Sequence, residues 1–90
     1  MYKIVIVTTK GCEACEIAKR NLEIAISECN ADMAIETKDY NDVDKDFLKK
    51  NGVKDYPTVF YIVDNKVSYK AVGSFPSAVY LRWMDMYFKN

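Results

Sequence analysis

The feature that most constrains the fold is an apolar run, Ile4-Val5-Ile6-Val7, close to the start of the chain. Four consecutive β-branched apolar residues are typical of a strand that is buried on both faces of a sheet. The run is broken at Lys10-Gly11, and apolar residues then recur at helical spacing from about Glu13 to Cys29. We therefore predict a strand from Tyr2 to Thr9 that is followed directly by a helix.

The rest of the chain predicts three more strands and two more helices. The remaining predicted strands are Met33–Lys38, Thr58–Val63 and Val67–Val72, the last two forming a hairpin. A helix capped by Asn41 or Asp42 is expected to run to about Asn51, and another starts near Pro76. The order β-α-β-α-β-β-α, with a right-handed first crossover, predicts an α/β fold: a four-stranded mixed sheet flanked by three helices.

Helical periodicity also predicts which residues of the two long helices face the core. In the first helix the inward stripe is Ala18, Leu22, Ala25, Ile26 and Cys29, widened by Ile17 and Ile24. In the last helix it is Val79, Trp83, Met86 and Tyr87. The first helix is therefore expected to be buried over much of its surface.

Composition excludes several classes of function. Ninety residues predict one domain, 1–90, and the 13 basic residues balance the 13 acidic ones, which disfavours nucleic-acid binding. No apolar stretch approaches the ~18 residues of a membrane span, and Ile4–Val7 is too short for an export signal. We expect a cytoplasmic monomer. Histidine is absent, which excludes histidine-based catalysis.

The segment with reactive side chains is Gly11-Cys12-Glu13-Ala14-Cys15, at the predicted N-terminus of the first helix. Cysteines at i and i+3 place two sulfurs on one helix face, close enough to bridge. The free N–H groups of a helix N-terminus stabilise a thiolate, which is the reactive form of cysteine. Cys12, at the helix edge, is expected to be the exposed nucleophile. Cys15, one turn further in, suits the resolving role.

A metal site is the rival interpretation of the cysteine pair, but it usually needs four ligands. Cys29 lies fourteen residues beyond Cys15, or about 21 Å of helix, so it cannot join the pair within one chain. We therefore expect no metal within one chain. Two alternatives stay open: a metal or Fe–S site that bridges two chains, and a binding module with vestigial cysteines.

The chain resembles the thioredoxin/glutaredoxin family over nearly its whole length. The resemblance rests on Cys12-Glu13-Ala14-Cys15, on Tyr56-Pro57-Thr58 ahead of the third strand, and on Gly73 after the fourth. It implies a thioredoxin fold of glutaredoxin size. It also implies a thiol–disulfide oxidoreductase that reduces protein disulfides without a cofactor, with thioredoxin reductase or glutathione as its recycling reductant.

The resemblance further implies a substrate-binding surface around the cysteine pair. The Tyr56–Pro57 bond would be cis, with Pro57 facing the cysteines and the backbone of Tyr56 free to pair with an extended substrate. Gly11, Glu13 and Gly73 would complete this surface. Of the nearby aromatic residues, we expect Tyr56 at the surface and Phe75, Tyr69 and Tyr80 in the core.

The chain departs from the family at several positions. Gly11 replaces an aromatic residue, and Glu13-Ala14 replaces the Gly-Pro of thioredoxins. The first-strand carboxylate of thioredoxins falls near Ile6, so that proton relay is missing, and the glutathione-binding segments of glutaredoxins are not matched. The negative charge of Glu13 opposes thiolate formation at Cys12. We therefore predict a modestly lowered Cys12 pKa and a reducing cysteine pair.

Overall fold

The computed structural model describes residues 1–88 and contains one four-stranded sheet with helices on both faces. The strands are β1 (Tyr2–Thr8), β2 (Met33–Asp39), β3 (Thr58–Val63) and β4 (Lys66–Val72). The helices are α1 (Glu13–Glu28), α2 (Lys45–Lys50) and α3 (Ser77–Tyr87), and a 3-10 turn covers Tyr40–Asp42. The predicted α/β class and order of elements are confirmed.

The sheet has the order β2-β1-β3-β4, which makes β1 a central strand. β1 pairs with β2 in parallel and with β3 antiparallel, and β4 pairs antiparallel with β3. Val7 therefore lies between Lys38, near the end of β2, and Thr58, the first residue of β3. The loop from β1 to α1 starts at this end of the strands. The residues that follow β2 and those that precede β3 therefore lie beside this loop.

The side chains of the central strands alternate between two apolar clusters. The larger cluster, between the sheet and helices α1 and α3, includes Ile4 and Ile6. The smaller cluster, on the α2 face, has Val5, Val7 and Phe60 as its buried members. Because both faces of β1 are covered, the continuous apolar run of this strand is explained.

Two isoleucines of α1 do not face the core, and the prediction for them was wrong. Ile17 is 45% exposed and Ile24 is 42% exposed. Each lies one residue, or about 100° of helix rotation, before an alanine that is fully buried, Ala18 or Ala25. The small alanines let α1 pack closely on its neighbours, so the buried stripe is narrower than the sequence indicated.

The inner face of α3 also differs from the prediction. Tyr80 and Met84 are fully buried, whereas Met86 is 52% exposed and Val79 is half-buried. Tyr80 and Met84 lie four residues apart and so share one helix face, while Met86 lies about 200° around the helix from Met84. Trp83 and Tyr87 pack at the edge of the buried stripe.

The start of α2 was also predicted wrongly, because neither Asn41 nor Asp42 caps it. The Asp44 carboxylate accepts the N–H of Asp46 at 2.8 Å and caps α2, which begins at Lys45. Asp39 caps the preceding 3-10 turn by accepting the N–H of Asn41 at 3.0 Å. Two aspartate caps in close succession thus divide one predicted helix into two short elements.

Candidate functional site

Cys12 and Cys15 lie at the start of α1 and are joined by a disulfide bond, with their Cα atoms 5.2 Å apart. Cys12 is the N-cap residue of the helix and is half-buried. Cys15 lies in the first turn and is only 4% exposed. The two sulfurs therefore differ in access, and Cys12 is the one that an incoming group reaches more easily.

The sulfur of Cys12 is the helix cap. Its Sγ atom accepts the backbone N–H of Cys15 at 3.0 Å. This N–H has no acceptor within the helix, and the helix dipole adds partial positive charge at the same place. Once the disulfide is reduced, the same donor and dipole favour the thiolate form of Cys12.

The turn that leads into the cysteine pair depends on Gly11. Its φ angle is +67°, a conformation that other residues adopt only with strain. A Cβ atom at this position would meet nothing within 4 Å, so the requirement is for the backbone angle and not for space. Gly11 thus turns the chain from the end of β1 into the helix while the surface beside Cys12 stays open.

An open groove of about 540 Å³ lies next to the disulfide. It is bounded by the loop from β1 to α1, by the first turns of α1 and by the end of β2. Glu13 and Glu16 line it from the helix, and Thr37 and Asp39 line it from β2. This is the carboxyl end of two parallel strands, where open α/β sheets commonly bind ligands.

The groove carries charges of both signs. Lys10 and Lys19 line it together with the carboxylates of Glu13, Glu16 and Asp39. Within residues 1–88 the ion pairs are Met1–Asp64 and Lys3–Glu36, so none of the groove charges is paired in that part of the chain. The unpaired carboxylates of Glu13 and Glu16 therefore attract a positive group, or repel a negative one, that comes close to Cys12.

Tyr56, Pro57 and Gly73 form a second group at the same edge of the sheet. The Tyr56–Pro57 bond is cis, and Pro57 is buried. The Pro57 carbonyl accepts the N–H of Gly73 at 2.8 Å. Since Val7 pairs with Thr58, Pro57 precedes β3 just where Thr8 ends β1.

The structure brings the candidate site residues together as two groups, not one. Gly11, Cys12, Glu13 and Cys15 line the groove, while none of the residues of the second group is among its lining within 1–88. Tyr56 is half-buried, not exposed as predicted, because its ring packs on the smaller cluster and 5.6 Å from the ring of Tyr40.

Sequence reasoning missed a set of contacts that hold the chain after Gly73. The Tyr80 hydroxyl donates to the Gly73 carbonyl at 3.3 Å and accepts the N–H of Phe75 at 3.2 Å. Asn21 of α1 donates from Nδ2 to the Phe75 carbonyl at 2.9 Å. Burial raises the pKa of the Tyr80 phenol above its usual value. No pattern in the sequence signals these contacts: Asn21 lies 54 residues before Phe75, and the ring of Tyr80 gives no sign of which nearby backbone groups its hydroxyl meets.

Metal-binding residues are not grouped in the part of the chain that the structure describes. No set of three or more Cys, Asp or Glu side chains in residues 1–88 is placed to hold a metal ion. Cys29 caps the other end of α1, where it is half-buried against the larger cluster. The first strand contributes no carboxylate, and Ile6 is fully buried.

No protein-family model and no curated protein matches the sequence. Solved structures do match. A variant of thioredoxin from Halobacterium salinarum NRC-1 is 16% identical with a TM-score of 0.80, over 99% of this chain and 76% of that one. Thioredoxin from Aeropyrum pernix is 20% identical with a TM-score of 0.74, over 94% and 73% of the two chains. Thioredoxin-2 of the malaria parasite is 13% identical with a TM-score of 0.79, over 96% and 82%.

These likenesses establish the fold. The chain has the thioredoxin fold, and its resemblance to thioredoxins and thioredoxin-like proteins is confirmed at that level. The cysteine pair at disulfide distance, at the start of α1, is chemically able to undergo thiol–disulfide exchange. None of the helices within residues 1–88 has the length and apolar character that a membrane span requires.

Proposed function

We propose that the chain is a thiol–disulfide oxidoreductase of the thioredoxin/glutaredoxin family that reduces protein disulfides, with Cys12 as nucleophile and Cys15 as resolving cysteine. The observation that carries this proposal is the cysteine pair itself. Its accessible sulfur accepts a helix N-terminal N–H at 3.0 Å, and its other sulfur belongs to a residue that is 4% exposed. Such an arrangement separates an attacking thiolate from a protected partner.

The reaction consists of two thiol–disulfide exchanges. The Cys12 thiolate attacks one sulfur of the substrate disulfide, which forms a Cys12–substrate bond and releases the other substrate sulfur as a thiolate that takes up a proton. Cys15 then loses its proton and attacks Cys12. The mixed disulfide breaks, the second substrate thiol is released, and the Cys12–Cys15 bond forms. Two electrons pass from the protein to the substrate.

The proton of Cys15 needs a path that does not use the first strand. In thioredoxins a carboxylate of that strand serves as the relay, and here Ile6 lies near the matching position. Because Cys15 lines the open groove, we infer that water in the groove takes this proton. The second exchange is then expected to slow as the pH falls, since the Cys15 thiol is harder to deprotonate.

An extended substrate segment is proposed to dock along Tyr56–Pro57. Within residues 1–88, neither the N–H nor the C=O of Tyr56 forms a hydrogen bond with the rest of the backbone, so both are available to a partner. Gly11 and Glu13 flank Cys12 and line the groove, and the N–H of Gly73 donates to the carbonyl of Pro57. Substrate pairing would thus align the target disulfide with Cys12.

We propose a monomer that works in the cytoplasm without a cofactor and is recycled by thioredoxin reductase or by glutathione. The test is reduction of insulin disulfides, followed with each recycling system separately. We expect turnover with one system, loss of turnover in Cys12→Ser, and turnover retained in Cys29→Ser, which serves as the control. Absence of thiol-dependent turnover with both systems contradicts the proposal. Zinc or iron in anaerobically purified protein would favour the alternative of a metal bridging two chains.

A further inference from the structure

We propose that Tyr80 and Asn21 are positioning residues for the substrate, because their side chains fix the turn Gly73-Ser74-Phe75 against which the Tyr56–Pro57 segment is held. This inference deepens the proposed function and rests on it. The turn, called the 73–75 turn below, joins β4 to α3. Its backbone groups lie outside the regular elements, and the Gly73 carbonyl and the N–H and carbonyl of Phe75 form hydrogen bonds with side chains.

The hydroxyl of Tyr80 closes the 73–75 turn. It donates to the Gly73 carbonyl at 3.3 Å and accepts the Phe75 N–H at 3.2 Å, so it joins both ends of the turn. The Tyr80 side chain is fully buried, and packing alone would be served by phenylalanine. A buried hydroxyl carries a desolvation cost unless it is hydrogen-bonded, and here the bonds go to the turn.

Asn21 connects the same turn to the helix that carries the cysteines. Its Nδ2 atom donates to the Phe75 carbonyl at 2.9 Å. Asn21 follows Cys15 by six residues, less than two turns of α1. The hydrogen bond thus fixes the position of the 73–75 turn relative to the helix whose first turn holds both sulfurs.

The last link is the bond from the turn to the docking segment. The Gly73 N–H donates to the Pro57 carbonyl at 2.8 Å, and the φ of +101° at Gly73 turns the chain away after the end of β4. A continuous set of contacts therefore runs from α1 through Asn21, the 73–75 turn and Gly73 to Pro57. A shift of the turn would displace the backbone that pairs with substrate, but would leave the cysteine pair as it is.

This arrangement predicts a selective effect on large substrates. A polypeptide needs the docking segment to align its disulfide, whereas a small aromatic disulfide reaches Cys12 without it. Loss of either side-chain contact should therefore raise KM for insulin and leave the rate of attack on the small disulfide unchanged. Since a hydrogen bond of this type contributes modestly to stability, we expect a KM increase of roughly three- to tenfold.

The test compares Tyr80→Phe and Asn21→Ala with Tyr61→Phe. The Tyr61 hydroxyl donates to the Tyr80 carbonyl at 3.0 Å and is also buried, but it does not contact the 73–75 turn, so Tyr61→Phe controls for lost stability. We expect the first two variants to raise KM for insulin, with kcat and the reduction of dithiobis(nitrobenzoate) within about twofold of wild type. The control should keep the wild-type KM. Amide hydrogen exchange at Gly73 should be faster in Tyr80→Phe and Asn21→Ala, but not in Tyr61→Phe.

The outcomes separate this inference from the function on which it rests. An active wild-type protein whose KM is unaltered in Tyr80→Phe and Asn21→Ala overturns the positioning role. An equal rise of KM in Tyr61→Phe also overturns it, since the effect would then be general destabilisation. An inert wild-type protein overturns the proposed function instead. If Tyr80→Phe does not fold, Asn21→Ala alone decides between these outcomes.

Discussion

The two faces of the sheet differ greatly in how much they bury. Among residues 1–88, the cluster on the α1 and α3 face contains twelve buried residues and the cluster on the α2 face contains three, and α2 itself has no buried residue. The cysteine pair belongs to a helix of the well-packed face, while Tyr56 packs on the other. The nucleophile thus belongs to the well-packed face, and the docking segment borders the lightly packed one.

A matched pair of leucines gives the largest expected contrast between the faces. Leu22 is fully buried in α1, and Leu48 is half-buried in α2. We expect Leu22→Ala to lower the free energy of unfolding by about 3–5 kcal/mol, because it removes apolar contacts and leaves a cavity. Leu48→Ala should cost only about 1–2 kcal/mol, since that site is partly open to solvent. Urea denaturation measures both, and equal losses would contradict the difference in packing.

Alkaline pH should weaken the packing of the well-packed face. Burial raises the pKa of Tyr61 and of Tyr80, and both belong to the larger cluster. In the unfolded chain they ionise near pH 10, so that state loses its protons first as the pH rises. Their contribution to stability is therefore complete below about pH 10 and is lost above it, by up to about 1.4 kcal/mol per pH unit for each tyrosine.

The measurement is the free energy of unfolding in urea, taken between about pH 8 and pH 11. In Tyr61→Phe, the free energy of unfolding should fall less steeply with pH above pH 10. The substitution removes one of the two phenols whose pKa differs between the folded and unfolded states. A stability that does not change with pH in this range would show that neither phenol is protected in the folded protein.

The smallest expected effect concerns the outer side of α1. Ile17→Val should change the free energy of unfolding by less than about 0.5 kcal/mol, since Ile17 is 45% exposed. Ile6→Val removes the same methyl group from a fully buried side chain and should cost about 1 kcal/mol. Equal costs for the two substitutions would contradict the difference in burial between Ile17 and Ile6.

Strand positions were predictable from the sequence to within one residue, because β-branched runs are bounded by glycine and turn residues. β3 matches its predicted range, and α2 ends at Lys50, one residue before the predicted end. The start of α2 was missed because Asp39, Asp42 and Asp44 are all chemically able to cap, and only the tertiary path of the chain selects among them.

The candidate site was partly predictable. A cysteine pair after a buried strand indicates a helix N-terminus, and the structure places Cys12 there as the cap. The contacts of Tyr80 and Asn21 could not be foreseen, since local pattern predicts burial of a ring but not which backbone its hydroxyl meets. The half-burial of Tyr56 likewise depends on Tyr40, sixteen residues earlier in the chain.

The central claim is that Cys12 attacks a protein disulfide and Cys15 resolves the product. The most direct test incubates reduced Cys15→Ser with insulin and maps the products by mass spectrometry after proteolysis. The account predicts a stable mixed disulfide between insulin and Cys12, which is absent in Cys12→Ser. An adduct on Cys29, or no adduct at all, would contradict it.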